Sequence, residues 1–336
     1  MSAQAVDGAK RRPGAERAST LGLRALQAGP VLILGVLLVL MAALSPYFLT
    51  GRNLANVGFQ ASFVAVLALG QLLVIITRGI DLSVGSVVGL AGVIAAAGAS
   101  GNGALSLALF AATGLAVGLA NGAVLVYGRV MNPFIVTLGT LGIARGLALV
   151  ITDGETRTGL PPIISTLGSD TVFGIPIPVL LVAALALVVG TVLGRTQWGR
   201  WIYAVGGNPE AARRAGIPAD GVLLSVYALC GLLAGIAGIL VAGRTDSASP
   251  QAGQLLELDS ITAVIIGGVS FLGGRGRVVN VLAGALIIGV IRNGLDLLGV
   301  SPFWQLIAVG VLVIVSLELD VVRGRLEQRL RRAASA

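Results

Sequence analysis

Apolar residues run from Ala28 to Leu319 with only short breaks of glycine, proline, asparagine or charge. A helix that crosses hydrocarbon needs ~20 apolar residues. On that measure the pattern predicts ten spans, near 29–49, 57–77, 83–99, 104–126, 133–152, 176–194, 221–242, 258–272, 278–298 and 302–319. The expected fold is an all-α polytopic membrane protein. A basic tail (1–27) precedes a membrane domain (28–319), and a second basic tail follows (320–336). The run Met41-Ala42-Ala43-Leu44-Ser45 faintly resembles a leader-cleavage site, but the topology below needs this stretch as an uncleaved first span. The third span is short, and the eighth is apolar only from Ile261 to Leu272 before Gly273, Gly274 and Gly276. Discontinuous helices beside a solute path give that pattern, and so do tilted or partly buried ones.

The one long polar interruption is 195–220. Within it Asn208 is a good N-cap, Pro209 suits the first helical position, Glu210 lies where the helix dipole favours an anion, and Gly216 supplies a stop. A helix of about two turns from Pro209 to Ala215 is too short to hold itself. Its alanines Ala211, Ala212 and Ala215 permit a close-packed partner, and Gly206 and Gly207 let the chain turn into it. A solvated loop whose arginines only set topology fits these residues equally well.

The chain has 336 residues, 56% hydrophobic and 11% charged, with a formal net charge of +8. Lys10 is the single lysine and there is no histidine. No Ser-His or Cys-His pair, HExxH zinc site or histidine proton relay can be built, and Lys10 lacks the glycine-rich loop of a Walker A site. Cys230 has no partner for an internal disulfide. The arginines follow topology better than they suit nucleic acid. Basic residues fall on the N-terminal tail, Arg78, Arg129, the central loop, Arg275 and Arg277, and the C-terminal tail, whereas the alternate loops carry only Arg52, Arg157 and Arg244. Both termini and 195–220 are therefore expected on the cytoplasmic side. Asp153, Glu155, Asp246, Glu257 and Asp259 are expected on or near the outer face, with the mixed charges of Asp153, Glu155, Arg244 and Asp246 suited to meeting another protein.

Between spans two and three, Asp81 or Ser83 is placed to cap the third helix, and Asn132-Pro133 has the same grammar before span five. Besides capping, these turns, with Ser86 and Thr137, are candidates for a gate along a translocation path. The combination of GIDLSVGS (79–86), NPFIVTLGT followed by RG (132–146), VGGNPEAARRAGI (205–217) and ITAVIIGGVSFLGGRG (261–276) resembles the ribose-type sugar permeases of ATP-binding-cassette importers, over about 50–320. In that family the central cytoplasmic loop holds a coupling helix, a divergent EAA loop, that docks into a separate ATPase. The resemblance implies ATPase coupling by Gly206, Gly207, Asn208, Pro209, Glu210, Ala211, Ala212 and Gly216. It also implies a vitamin-importer-like (type II) bundle, a second permease copy, a solute-binding protein and a bacterial inner-membrane location. The chain itself would hold no cofactor, ATP and Mg being bound by the ATPase, and would be a transport subunit without enzymatic activity of its own.

The polar residues expected within the bundle are mostly neutral: Gln60, Ser62, Gln71, Ser86, Asn121, Thr137, Thr140 and Asn293. A path short of fixed charge suits an uncharged solute such as a monosaccharide. Arg292 and Asp296 have the spacing of a pair on one helix face, and Arg145 suits pairing with helix ends. Nucleosides and branched-chain amino acids remain alternative solutes, and an ion-coupled carrier a less favoured class, resting on Asp81 and Asp296. An intramembrane enzyme lacks its nucleophile and base.

Overall fold

The computed structural model describes residues 13–130, 132–301, 303–308, 310–315, 318 and 322. Its elements are α1 (Pro13–Leu44), α2 (Gly51–Ile76), α3 (Val84–Gly98), α4 (Gly103–Tyr127), α5 (Pro133–Thr152), α6 (Pro162–Ser169), β1 (Thr171–Val172), β2 (Ile175–Pro176), α7 (Ile177–Arg195), α8 (Gln197–Gly207), α9 (Pro209–Arg214), α10 (Ala219–Thr245), α11 (Leu256–Ile266) and α12 (Val278–Leu297). Six of them, α2, α4, α5, α7, α10 and α12, are long and apolar enough to cross a membrane. Shorter apolar helices occupy Gly29–Leu44, α3 and Phe303–Val315. This is a helical polytopic membrane protein, with strand among the described residues limited to the β1–β2 hairpin.

Local chemistry sets the helix starts. Thr50, Asn102 and Asn132 accept amide hydrogen bonds from Asn53, Leu105 and Phe134, and Pro133 fixes the first residue of α5. α2 is buried along nearly its whole length, packed by α7, α10, α11 and α12. α10 lies closest to α4 because neither backbone carries a side chain at the crossing: a Cβ built at Gly114 would lie 2.2 Å from Gly231 O, and one at Gly231 would lie 2.2 Å from Gly114 O. The starts of α2, α4 and α7 and the ends of α5, α10 and α12 share one end of the bundle, called here the first end. The second end carries the close of α2 and α8–α9.

Several expectations need correction. Helix α1 begins at Pro13, so residues 13–27 continue a helix instead of forming a loose tail; Ala, Leu, Glu, Arg and Gln are good helix formers. Residues 1–12 and most of 320–336 lie outside the described residues, as do parts of the tenth expected span. The eighth span shrinks to α11, because the chain reaches its start by a turn-rich path inside the bundle. From Asp246 at the first end, that path runs down α3, passing Gly92 at Ala248, Gly89 at the Pro250 and Ala252 carbonyls, and Gly85 at Gly253. The turn 77–83 re-enters likewise, with Gln71 holding the Asp81 backbone. Helices α3 and α11 are both short and largely buried, each entered through irregular backbone. Within the loop 153–176, α6 packs Ile164 and Gly168 on α10.

Replacing Gly231 by Val should force α4 and α10 apart, at a cost of about 1–3 kcal/mol. Gly142→Ala, where nothing lies within 4 Å, should stay within about 0.5 kcal/mol. Melting in detergent micelles reads both, and equal melting of the two variants would contradict the tight crossing.

Candidate functional site

The second end is organised by Arg78. Its Nε donates to Gly206 O at 2.6 Å, and a guanidinium Nη2 donates to Gly207 O. Those carbonyls close α8, immediately before Asn208. Opposite them, Ile76 O accepts from Gly274 N at 2.8 Å, and a Cβ at position 206 would lie 1.8 Å from that same oxygen. Only glycine fits there. Tyr203 Oη donates to Gly276 O at 2.8 Å. Two of the four sequence motifs, the α8–α9 stretch and the glycine loop after α11, therefore meet here against Ile76 and Arg78, just before a third.

Helix α9 has the expected construction. Asn208 Oδ1 accepts from Ala211 N at 3.0 Å, Pro209 is first, Glu210 is exposed in the first turn, and Gly216 has φ +79. Arg213 pairs with Asp220 at 2.5 Å, both about half exposed. One expectation changes. Ala212 is buried in the hydrophobic core of this chain, so it seats α9 on its own protein and is not a face for a partner. The exposed face consists of Glu210, Ala211, Arg213, Arg214 and Ala215. Helix α8 went unread, although Trp198, Trp201, Ile202 and Val205 follow the spacing i, i+3, i+4, i+7 of an amphipathic helix. Its Ile202 and Val205 are buried, and Trp198 Nε1 donates to Ser225 Oγ at 2.9 Å.

Among the gate candidates, Asp81, Ser83, Ser86 and Thr137 are buried inside this one chain, while Asn132 is exposed at the start of α5 and Pro133 half-buried. Asp81 Oδ1 accepts from the Ser83 amide (2.9 Å) and hydroxyl (2.6 Å). Ser83 Oγ accepts from Asn121 Nδ2 (2.9 Å), and Asn121 Oδ1 accepts from Thr140 (2.6 Å). Ser83 makes no side-chain cap on α3, contrary to one expectation, because Asp81 and Asn121 engage its hydroxyl. The Thr137 hydroxyl lies 3.2 Å from Ile80 O and 3.0 Å from Pro133 O, which joins the two turns.

At the first end, Asp153, Glu155, Arg244 and Asp246 are all exposed. The Arg157–Ala248 bridge draws their loops together, as does the Ser165 hydroxyl, which donates to Asp246 at 2.5 Å. Arg244 lies over the Phe59 ring at 4.2 Å and donates to Asn56. Glu257 and Asp259, expected near the outer face, are buried instead, because α11 begins inside the bundle. Arg292 pairs with Asp259 at 2.5 Å and not with Asp296. Arg145 Nη1 donates to Pro250 O (2.5 Å) and Ala252 O (3.1 Å) of the re-entrant segment. No group of three His, Cys, Asp or Glu placed to hold a metal occurs among the described residues.

Residues 53–317 match the family described as branched-chain amino acid transport system / permease component. The chain belongs to that permease family. Among its relatives are the ribose import permease of Escherichia coli strain K12, 42% identical over 85% of this chain and 90% of the relative, and that of Bacillus subtilis strain 168, 40% identical over 87% and 92%. The fructose import permease of Rhizobium meliloti is 39% identical over 78% and 75%. No solved structure matches.

In this permease, Arg78→Ala should free α8–α9 from the turn after α2. Amide hydrogen exchange should accelerate at 206–216 and stay unchanged in α2 and α10. Equal protection in the variant would show that Gly206 packing alone holds the junction.

Proposed function

We propose that the chain is the membrane-spanning subunit of an ATP-binding-cassette importer that passes a neutral monosaccharide inward. The observation that carries this is the junction at Arg78, where an exposed short helix is locked through two carbonyls to the turn that starts α3. A rigid lever with a free outer face suits coupling to a separate ATPase, which binds ATP and Mg. Glu210 and Ala211 form its contact, with Gly206, Gly207, Asn208, Pro209 and Gly216 setting its position and Ala212 its seat. The ribose and fructose permeases among the relatives support a sugar as cargo. So does the scarcity of unpaired charge within the bundle. The family description names branched-chain amino acids, which makes leucine the competing cargo to include in any uptake panel.

The assembly in this reading has ten spans per copy, both termini and α8–α9 in the cytoplasm of a bacterial inner membrane, and a second permease copy in a type II arrangement. The charge pattern supports the orientation: the second end carries Arg78, Arg200, Arg213, Arg214 and Arg275, and the first end Arg52, Arg157 and Arg244. The charged rim at Asp153, Glu155, Arg244 and Asp246 receives the solute-binding protein, acting more on encounter rate than on affinity.

Single cysteines test the orientation in a background where Cys230 is replaced by Ser. With an impermeant thiol reagent outside intact cells, a cysteine at Phe173, the fully exposed hairpin tip, should be labelled, and cysteines at Ala3 and Ala334 should not. Terminal labelling would overturn the ten-span topology.

Proteoliposomes holding permease, ATPase and binding protein test the function. Glu210→Ala or Ala211→Asp should leave insertion normal, cut uptake by about tenfold and abolish stimulation of ATP hydrolysis by loaded binding protein. Coupling changes of about 0.5–2 kcal/mol per residue are ordinary for such paths. Wild-type uptake by Ala211→Asp would return α9 to the role of a solvated loop.

A further inference from the structure

A cavity of about 210 Å³ lies between α2, the start of α11, the end of α12 and the segment Phe303–Val315, walled by Gln60, Phe63, Arg292, Asp296 and Gln305 among others. Two larger clefts, of about 590 Å³ beside α2 and α7 and about 440 Å³ beside α1 and α12, are lined almost wholly by aliphatic residues and suit acyl chains. The smaller cavity differs in chemistry. Polar side chains between membrane helices ordinarily act as glue, each finding a partner on the next helix. That account covers most neutral polar residues of the bundle: Asn293 pairs with Asn53, Ser62 bonds its own helix, and Gln71, Asn121, Thr137 and Thr140 hold the turn at Asp81.

Around the cavity the account fails. Gln60 Nε2 reaches Asp296 Oδ2 only at 3.4 Å, and Gln60 Oε1 and Arg292 Nε have no partner among the described residues. Asp296 Oδ1 accepts from Gln305 Nε2 at 2.8 Å, and Arg292 commits one nitrogen to Asp259 at 2.5 Å. The wall thus offers the Asp296 carboxylate as an acceptor and the ring of Phe63, with Gln60 Oε1 and Arg292 Nε buried beside them and unpaired. A carboxylate can accept from two neighbouring hydroxyls while an aromatic face covers the C–H side of a ring. The volume equals roughly seven waters at about 30 Å³ each, the scale of one sugar ring. Arg292 against Asp259 and Asp296 leaves one negative charge at the wall, which disfavours an anionic solute.

The geometry points to a transient subsite for a single neutral monosaccharide at this cavity, entered from the first end, where Asp296 is exposed. This rests on the sugar-importer reading and adds to it a stop inside the permease itself, where hydroxyl pattern is checked after the binding protein lets go. A site that hydrogen-bonds hydroxyls rejects analogues lacking them, because its own polar groups are then left unpaired.

The test uses the complete importer in proteoliposomes, with labelled D-ribose, D-allose and D-fructose as probes and saturating loaded binding protein. Gln60→Ala and Asp296→Asn should each lower uptake by about tenfold and change the order of preference among the three sugars. Binding-protein-stimulated ATP hydrolysis should persist, so that sugar moved per ATP falls. Asp296→Asn is isosteric and exposed, and it decides alone if Gln60→Ala does not insert. Wild-type uptake, stoichiometry and sugar order in Asp296→Asn would overturn the subsite while leaving the importer intact. A wild-type importer that assembles, hydrolyses ATP and carries none of the three sugars would overturn the sugar reading and the subsite together.

Discussion

Hydrocarbon offers a peptide group no hydrogen bond, so irregular backbone inside a membrane bundle must be satisfied by protein. This chain places irregular backbone there twice, at 77–83 before α3 and at 246–255 before α11. Most of its unusual polar residues answer that constraint. Gln71 bonds the Asp81 backbone, Asp81 takes the Ser83 amide, Thr137 bridges Ile80 and Pro133, and Arg145 collects two carbonyls of the second segment. The motif GIDLSVGS is therefore first of all a recipe for turning the chain round inside a bundle.

The same constraint explains why the second end is stiff. A turn re-entering after α2 must be fixed from outside the lipid, and Arg78 does so by reaching the carbonyls that close α8. Because Gly206 touches Ile76 O and Gly274 bonds it, α8–α9, the turn and the loop after α11 share one contact point. The close of α8 thus touches both the residue that ends α2 and the loop that leads into α12.

The spans were legible because ~20-residue apolar runs are a strong signal, and Asn208-Pro209-Glu210 and Asn132-Pro133 announced their helices through capping chemistry. What the pattern could not carry was contact between distant segments. Glu257 and Asp259 read as outer-face charges because an acidic pair after a polar stretch ordinarily marks a loop; only α3, packed along 248–253, shows that this loop descends into the bundle. Arg292 and Asp296 had the spacing of a pair, yet Asp259 on α11 lies nearer to Arg292. Ala212 looked like its neighbours Ala211 and Ala215, and burial alone separates them. Helix α8 was legible in principle, from Trp198, Trp201, Ile202 and Val205, but its arginine and glycines gave it the look of a loop.

The buried charges also limit how the bundle can move. Breaking a buried pair by removing one partner costs about 3–5 kcal/mol, and Arg292–Asp259 has its carboxylate fully buried. Sliding α11 alone would separate that pair and take Arg145 off the Pro250 and Ala252 carbonyls. The α4–α10 crossing, closed by Gly114 against Gly231, resists separation in the same way. Motions that keep these contacts carry α5, α11 and α12 as one block, which Asn121–Thr140 and Asn53–Asn293 tie in turn to α4 and α2. The exposed face of α5, with Gly139 and Gly142 open to space, belongs to that block and carries no internal tie. The network at Asp81 holds the turn before α3 against α4 and α5, and so belongs to the same frame.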